Sequence, residues 1–424
     1  MPSEARNCCR CKDRISALPD DLLVQILCLI SIKDAVTTMF LSKRWRFVWT
    51  MLPKLDYTKS NRRGYRKICG WDFIDKSLQL HKAPSLELLS IQINHQKCPV
   101  DFDIGKWVDR CVRELILRIN FIPTTANPTS LPKSLYSSKA LVKLSLSGRF
   151  LVDVPSPACL PSLKSLVLKF VVYKDQDSHV KLLSGCPVLR YLYVLRDNHC
   201  NVTRFSVKVP SLEKLEYVDR SFFHNDKRLV IDCPRLNYLY NSGSFRDGFL
   251  IKNMPRLDVA KVLRYGYHPN EEFLTSLSSV RFLVLGPIKV AVFSAINFSR
   301  LINFTLRIHC LDNWLEPLML LLHKAPKLKA LKITSSQGHF PLSWNQPSSV
   351  PGCLLFQVED FRWKGFGGRR AEKKFLAYIL ANSNCLKTVR ISLRPYKADE
   401  VKKKIMELES MYRVSTSAQV QFYA

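Results

Sequence analysis

One spacing constrains this chain more than any other feature: three apolar residues in the pattern apolar-x-x-apolar-x-apolar, returning at a nearly constant interval. It reads Leu86-x-x-Leu89-x-Ile91, then Val112-x-x-Leu115-x-Leu117, Leu141-x-x-Leu144-x-Leu146, Leu163-x-x-Leu166-x-Leu168 and Leu189-x-x-Leu192-x-Val194. Copies continue at Leu212, Leu236, Val280, Leu301 and Leu328, with a degenerate one at Leu257, and successive first positions lie 21 to 29 residues apart. The end of each unit has the period of two that marks a strand with one apolar face. A unit of this length cannot bury that face alone, so neighbours must stack into a continuous core. Several copies carry Pro two residues before the first Leu, as in Pro161-Ser-Leu163 and Pro234-Arg-Leu236. Proline fixes φ there and steers the chain into the next extended stretch.

The period is that of leucine-rich repeats. The fold expected is an α/β repeat, a leucine-rich-repeat solenoid over 58–345, with helices before some strands, as at Asp72–Leu80 and Leu315–His323. Residues between the inward positions should line a concave partner-binding face. Lys143, Tyr191, Tyr193, Lys214, Tyr238, Tyr240, Arg307 and Lys332 fall there as target-binding candidates, together with Glu114 and Glu216. Tyrosine and arginine are favoured at binding hot spots. No glycine-rich phosphate turn follows any of these strands, which argues against an ordinary nucleotide-binding α/β domain.

Ahead of the array, residues 13–57 read DRISALPDDLLVQILCLISIKDAVTTMFLSKRWRFVWTMLPKLDY. Pro19 suits the first position of a helix, and Asp20 and Asp21 complement its positive end. Leu22, Leu23, Ile26, Leu27 and Ile30 then form a broad apolar stripe. Ser31 with Asp34 is a capping-box variant that opens a second helix carrying Ala35, Val36, Met39 and Phe40. Ser42 repeats the N-cap logic before Trp45, Val48, Trp49 and Leu52, and Pro53 should stop the third helix. Three helices in so short a stretch have more apolar surface than a small core can hold, which predicts an exposed patch.

These residues resemble the plant-type F-box, with Arg14 to Leu23, Ser31-Ile-Lys33-Asp34-Ala35 and Leu41-Ser42-Lys43-Arg44-Trp45-Arg46-Phe47-Val48-Trp49 as the matching motifs. The resemblance implies docking on a Skp-type adaptor and, through it, on a cullin-RING ubiquitin ligase. Carried over by position, Leu18, Pro19, Leu22, Leu23, Ile26, Leu27, Val36, Leu41, Trp45 and Trp49 are the candidates for module core or adaptor contact. Ser31-Ile32 departs from the pattern, where relatives commonly have Pro. The array is similar to the irregular repeats of plant F-box proteins, in which C-P-x-L-x-x-L-x-L recurs, and this accounts for Cys186 and Cys233.

After the Pro- and Ser-rich stretch 343–351 the composition changes, and 346–424 reads as a separate C-terminal segment. Gly365, Gly367 and Gly368 mark a turn, Ala371–Ala381 a helix with Phe375, Leu376 and Ile379 inward, and Leu386-x-x-Val389-x-Ile391 a further strand. A last helix near Ala398–Met411, with Val401, Ile405, Leu408 and Tyr412 on one stripe, should cap the solenoid. Gly368 with Glu372, Tyr378–Asn382 and Leu386–Ile391 resemble the FBD module found at the C-terminus of many plant F-box proteins.

Lys+Arg outnumber Asp+Glu by 65 to 35, a formal charge of +30. A clustered excess of that size would suit an acidic partner, and a dispersed one only solubility. A basic scaffold for nucleic acid or another polyanion is therefore the rival reading, and nucleic acid is the less expected partner. Residues 1–12 read as a flexible tail, and Cys8-Cys9-Arg10-Cys11 lacks a fourth ligand at zinc spacing. The basic run 61–67 reads as a solvated linker. No metal, cofactor or catalytic constellation is expected, and no apolar run approaches a membrane span. A protein of the cytoplasm or nucleus, acting by binding, is the expectation.

Overall fold

The computed structural model describes residues 15, 17–58, 70–94, 112–120, 128–221, 228–243, 249–252, 254–264, 275–286, 296–308, 314–335, 344, 346–394 and 398–423. The chain divides into two compact units, Met1–Phe150 and Leu151–Ala424. The tail cysteines and the basic run 61–67 lie outside the described residues.

In the first unit α1 (Asp20–Leu27), α2 (Ile32–Thr37) and α3 (Trp45–Val48) are followed by β1 (Lys54–Asp56), α4 (Trp71–Leu80), β2 (Leu88–Asn94), β3 (Glu114–Asn120) and β4 (Lys143–Ser147). The four strands are parallel neighbours in that order. Leu55, Leu89, Leu115 and Leu144 stand in one register row, each no more than 1% exposed. Strand β1 was not anticipated: Leu52-x-x-Leu55-x-Tyr57 is itself a copy of the repeat, all three residues buried. The first rung of the ladder is thus built into the end of the helical module. Tyr57 fastens it, its backbone N–H donating to Ser90 O and its hydroxyl pairing with Ser77 Oγ on α4 at 2.8 Å.

The second unit carries an uninterrupted parallel ladder of eleven strands among the described residues. They are β5 (Ser165–Lys169), β6 (Tyr191–Arg196), β7 (Lys214–Asp219), β8 (Tyr238–Gly243), β9 (Val259–Arg264), β10 (Phe282–Leu285), β11 (Asn303–Ile308), β12 (Ala330–Ser335), β13 (Asp360–Phe366), β14 (Thr388–Leu393) and β15 (Gln419–Tyr423). Its helices are α5 (Ser178–Ser184), α6 (Leu315–His323), α7 (Gly352–Phe356), α8 (Arg370–Asn382) and α9 (Ala398–Glu409). Leu166, Leu192, Leu215, Leu239, Ala260, Leu283, Phe304, Leu331, Phe361 and Val389 fall in one inward row. Every one of them is at most 2% exposed, so the register expected from the repeat holds along the row. Leu306 departs from the pattern, being half-buried while Ile308 takes the inward place.

Two strands escaped the repeat reading. Strand β13 belongs to the copy Val358-x-x-Phe361-x-Trp363, whose aromatic residues hide the leucine pattern while filling the same buried positions. Trp363 meets Trp314 and Phe375 edge-on, with ring centroids 6.1 and 5.8 Å away. Strand β15 follows α9 and pairs with β14, so the ladder ends on a strand and not on the helix expected to cap it. On α9 only Leu408 is buried of the stripe named above, and Tyr412, at 73% exposure, lies on no core.

One of two three-stranded sheets beside the ladder, also unforeseen, runs parallel through Arg204–Lys208, Arg228–Asp232 and Phe249–Ile251. It buries Phe205, Val207, Leu229 and Ile231. The link to the main ladder is a polar knot around Arg196, 2% exposed, whose guanidinium donates to Tyr217 Oη, Val202 O and Cys200 Sγ. Beside it His179 of α5 stacks on Phe205 with centroids 4.4 Å apart.

Candidate functional site

The residues carried over to the helical module separate into three environments. Leu23, Leu27, Trp45 and Trp49 are core, each at most 4% exposed, and Val48 and Leu52 join them. Leu18 and Val36 are half-buried. Pro19, Leu22, Ile26 and Leu41 face outward, Leu22 at 43% exposure. The sequence left Leu23 and Leu27 as candidates for either module core or adaptor contact. They are spent inside, because a stripe on a two-turn helix can give only one side to the core, and the tryptophans of α3 and its neighbouring turn occupy that side.

The outward patch is larger than the motif alone indicates. Leu29 after α1, Phe40 after α2 and Phe47 on α3 are 85%, 82% and 59% exposed, so large apolar side chains stand uncovered on all three parts of the module. Apolar residues concentrated on a short segment mark an interaction surface. Phe40, placed by its spacing on the second helix, instead ends a 3-10 turn, Thr38–Phe40, that follows α2 and turns its ring outward. The cap at Ser31 forms as expected, Asp34 N–H donating to Ser31 Oγ at 3.3 Å. The cap expected at Ser42 does not, since α3 starts at Trp45 after Arg44. Arg44 is spoken for by the first helix: Nε donates to Asp20 Oδ1 at 2.8 Å and Nη2 to Leu18 O.

On the main ladder, the target-binding candidates lie at outward positions, as their spacing predicts. They do not form one cluster. Lys143 is on β4 in the first unit, ion-paired to Glu114 on β3 at 3.0 Å. Tyr191, Tyr193, Lys214, Tyr238 and Tyr240 come together on the adjacent strands β6, β7 and β8, where the register sets Lys214 between Tyr191 and Tyr238, and Glu216 between Tyr193 and Tyr240. The Lys214 ammonium lies 5.0 Å from the Tyr191 ring centroid and 4.8 Å from that of Tyr238. Lys169 and Lys261 approach Tyr193 and Tyr238 in the same way, at 4.9 and 5.3 Å. Burial, with the Glu216 carboxylate adding to it, pushes the Tyr191 hydroxyl up to about 12, so that phenol is neutral at physiological pH. The lattice of rings and ammonium groups presents large rigid area at low entropy cost, the property that favours tyrosine at protein interfaces.

Arg307 and Lys332 stand elsewhere, on β11 and β12. Arg362, Lys364 and Arg390, on the two strands that follow, share their face and were missed. Arg362 and Lys364 hold outward positions in a copy whose leucines had been replaced, and Arg390 the outward position of the recognised copy at Leu386.

Among the described residues no group of three or more His, Cys, Asp or Glu is arranged to hold a metal ion. Seven described cysteines are free thiols. Burial pushes Cys186 and Cys353 up to about 12 and Cys233 up to about 11, and each Sγ–H points at a backbone carbonyl, of Leu182, Leu322 and Val207 respectively. They are packing residues with no thiolate to offer. No described helix is long and apolar enough to cross a membrane.

Comparison with known families matches the F-box domain to residues 15–57, the repeats described as "FBD-associated F-box protein At5g56370, LRR repeats" to residues 100–273, and the FBD to residues 346–391. In Arabidopsis thaliana the F-box/FBD/LRR-repeat protein At1g22000 is 47% identical, over 97% of this chain and 91% of its own length. The FBD-associated F-box protein At1g05080 is 44% identical over 97% of this chain and 98% of its own, and the F-box/FBD/LRR-repeat protein At4g26340 39% identical over 97% and 100%. With the module, the ladder and the C-terminal segment all accounted for in one order along nearly the whole length, the chain belongs to the plant F-box/FBD/LRR-repeat proteins.

Proposed function

We propose that this chain is the substrate-recruiting subunit of an SCF-type cullin-RING ubiquitin ligase. The observation that carries the proposal is the uncovered apolar surface of the helical module, Leu22, Ile26, Leu29, Phe40 and Leu41, on a unit whose core is already complete without them. A Skp-type adaptor covers that surface. Pro19, Leu22, Ile26 and Leu41 make contact, Leu18 and Val36 border it, and Leu23, Leu27, Trp45 and Trp49 hold the helices that present it. The target binds the outward face of the ladder, on the tyrosine and lysine lattice of β6–β8. The subunit forms and breaks no covalent bond; it raises the target's effective concentration beside the ligase.

The test is complex formation between the full chain and a plant Skp-type adaptor at physiological salt, with duplex and single-stranded nucleic acid titrated in parallel. A stoichiometric adaptor complex is expected, with nucleic-acid adhesion that fades as salt rises because dispersed charge is screened beyond ~8 Å. Submicromolar nucleic-acid affinity without adaptor binding would reverse the assignment in favour of the polyanion scaffold.

A further inference from the structure

The charge excess is not evenly spread over the outward face of the ladder. On β6–β9 it is nearly neutral, Lys214 and Lys261 set against Glu216, with Lys214 and Glu216 paired at 2.7 Å. On β11–β14 the outward positions hold Arg307, Lys332, Arg362, Lys364 and Arg390 against one carboxylate, Asp360. Asp360 accepts from Arg362 at 2.7 Å and lies 3.8 Å from Arg390. Arg307, Lys332 and Lys364 are exposed and have no acidic partner among the described residues.

Register fixes the spacing. Lys332, Arg362 and Arg390 are direct neighbours in one row across β12, β13 and β14. In the next row along the strands Arg307 and Lys364 flank Thr334. Strands ~4.8 Å apart and alternate residues ~6.7 Å apart therefore set five cations on a patch roughly 15 Å wide. Hydroxyls fill the places between them: Thr305 and Thr334 on β11 and β12, Thr388 and Ser392 on β14. Like charges held this close repel one another in the free protein, and a ligand carrying several carboxylates relieves that repulsion.

We infer that the outward face of β11–β14 binds an Asp- and Glu-rich extended segment of the target protein. The inference rests on the proposed receptor role and names the chemistry of the target's contact. A peptide fits better than nucleic acid on three counts. No aromatic side chain occupies an outward position of β11–β14 on which a base would stack. The patch is too short for the run of phosphates that tight duplex binding needs. Asp360 and, just before it, Glu359, which is ion-paired with Lys329 and Lys387, stand at the start of β13, where their carboxylates would interrupt a continuous phosphate track. An extended segment repeats its side chains on one face at the ~6.7 Å interval that separates Arg362 from Lys364, so its carboxylates match the cations without distortion.

The experiment uses the full chain and a fluorescent ten-residue peptide alternating Glu and Asp with Gly and Ser, at physiological salt. Controls are the same peptide with Gln and Asn, and a single-stranded oligonucleotide of equal charge. Lys332→Glu with Lys364→Glu should weaken acidic-peptide binding at least about tenfold, because two attractive contacts become repulsive. Lys208→Glu with Arg228→Glu, the same charge change on exposed residues of the three-stranded sheet, should leave it within about twofold. Equal losses in the two variants, or no preference for the acidic over the amide peptide, would overturn the inference by showing diffuse attraction. Tighter binding of the oligonucleotide than of the peptide would overturn it in favour of a nucleic-acid site. Adaptor affinity is measured on the same variants and should be unchanged. Peptide binding by a wild-type chain that binds no adaptor would sink the ligase proposal while leaving this surface standing.

Discussion

Leu22 and Leu23 are consecutive in α1 and live in opposite environments, Leu22 at 43% exposure and Leu23 at 0%. The division runs through the whole module and separates its folding from its docking. Leu22→Ala with Ile26→Ala should leave the melting temperature nearly unchanged and weaken adaptor binding by ~2 kcal/mol or more, the cost typical of losing a hot spot. Leu23→Ala empties a filled core position and should cost ~2–5 kcal/mol of module stability. Binding and melting measured on both variants check this, and adaptor affinity untouched by the Leu22 and Ile26 pair would place the contact on another face.

The same neighbour relationship tests the ladder. Tyr191 points outward beneath the Lys214 ammonium, while Leu192 is fully buried between Leu166 and Leu215. Leu192→Asp places an uncompensated charge in a continuous apolar row and should unfold the adjoining repeats, whereas Tyr191→Ala should cost ~1 kcal/mol or less. Hydrogen exchange across β5–β8 distinguishes them, and equal loss of protection would contradict the register.

His179 supplies a pH dependence. Its Nε2 accepts the Ser206 backbone N–H at 2.9 Å, so the neutral ring carries its proton on Nδ1. Burial, with the charge of Arg196 next, lowers its pKa to about 4 from an ordinary 6.5. Unfolding frees the ring to take a proton, so the stability held above pH 6.5 falls as pH drops toward 4, by up to ~3 kcal/mol. His179→Gln keeps an acceptor and removes the titration. The difference between wild-type and variant stability should fall with that slope between pH 6.5 and 4, and a flat difference would mean that the ring is already solvated.

How much of this was legible followed from the kind of constraint at each place. The inward rows were legible where burial demands apolar residues at each rung; the pattern disappeared where aromatics took the leucine places, at Phe361 and Trp363, and at β15, where Val420 and Phe422 are only half-buried. Strand β1 was hidden because Leu52 serves the tryptophan helix and the first rung at once. The three-stranded sheet left a weaker trace, three to five residues per strand and no period of its own. In the module, spacing showed that Leu22 to Ile30 make a stripe, but which edge of it turned inward depended on Trp45 and Trp49, which are remote in sequence. The basic face of β11–β14 was half legible: Arg307 and Lys332 sat in recognised copies, and Arg362 and Lys364 sat in the one that was not.

The turn before α8 explains a motif that spacing alone could only match. Gly368, at φ +70°, takes a conformation that L side chains rarely adopt, and Glu372 reaches back over it. The Glu372 carboxylate accepts the backbone N–H of Arg369 at 2.8 Å and of Gly367 at 3.2 Å, which satisfies donors that the start of a helix leaves open. Glycine and glutamate four residues apart are therefore two parts of one device. Gly365, at φ +80°, is tighter still, since a Cβ there would collide with the carbonyl oxygen of Ser335 on β12. Glu372→Ala should cost ~2 kcal/mol, removing the carboxylate to which both N–H groups donate, and Gly368→Ala ~1 kcal/mol of backbone strain. Gly365→Ala should cost more than Gly368→Ala because backbone must move to admit it. The pair Glu372→Ala with Gly368→Ala should cost less than the sum, since the second change strikes a turn already loosened. Trp314, Trp344 and Trp363 gather around Phe375 of α8, so tryptophan fluorescence during denaturation reports this region directly. Strict additivity of the two changes would show that the glycine and the carboxylate act independently.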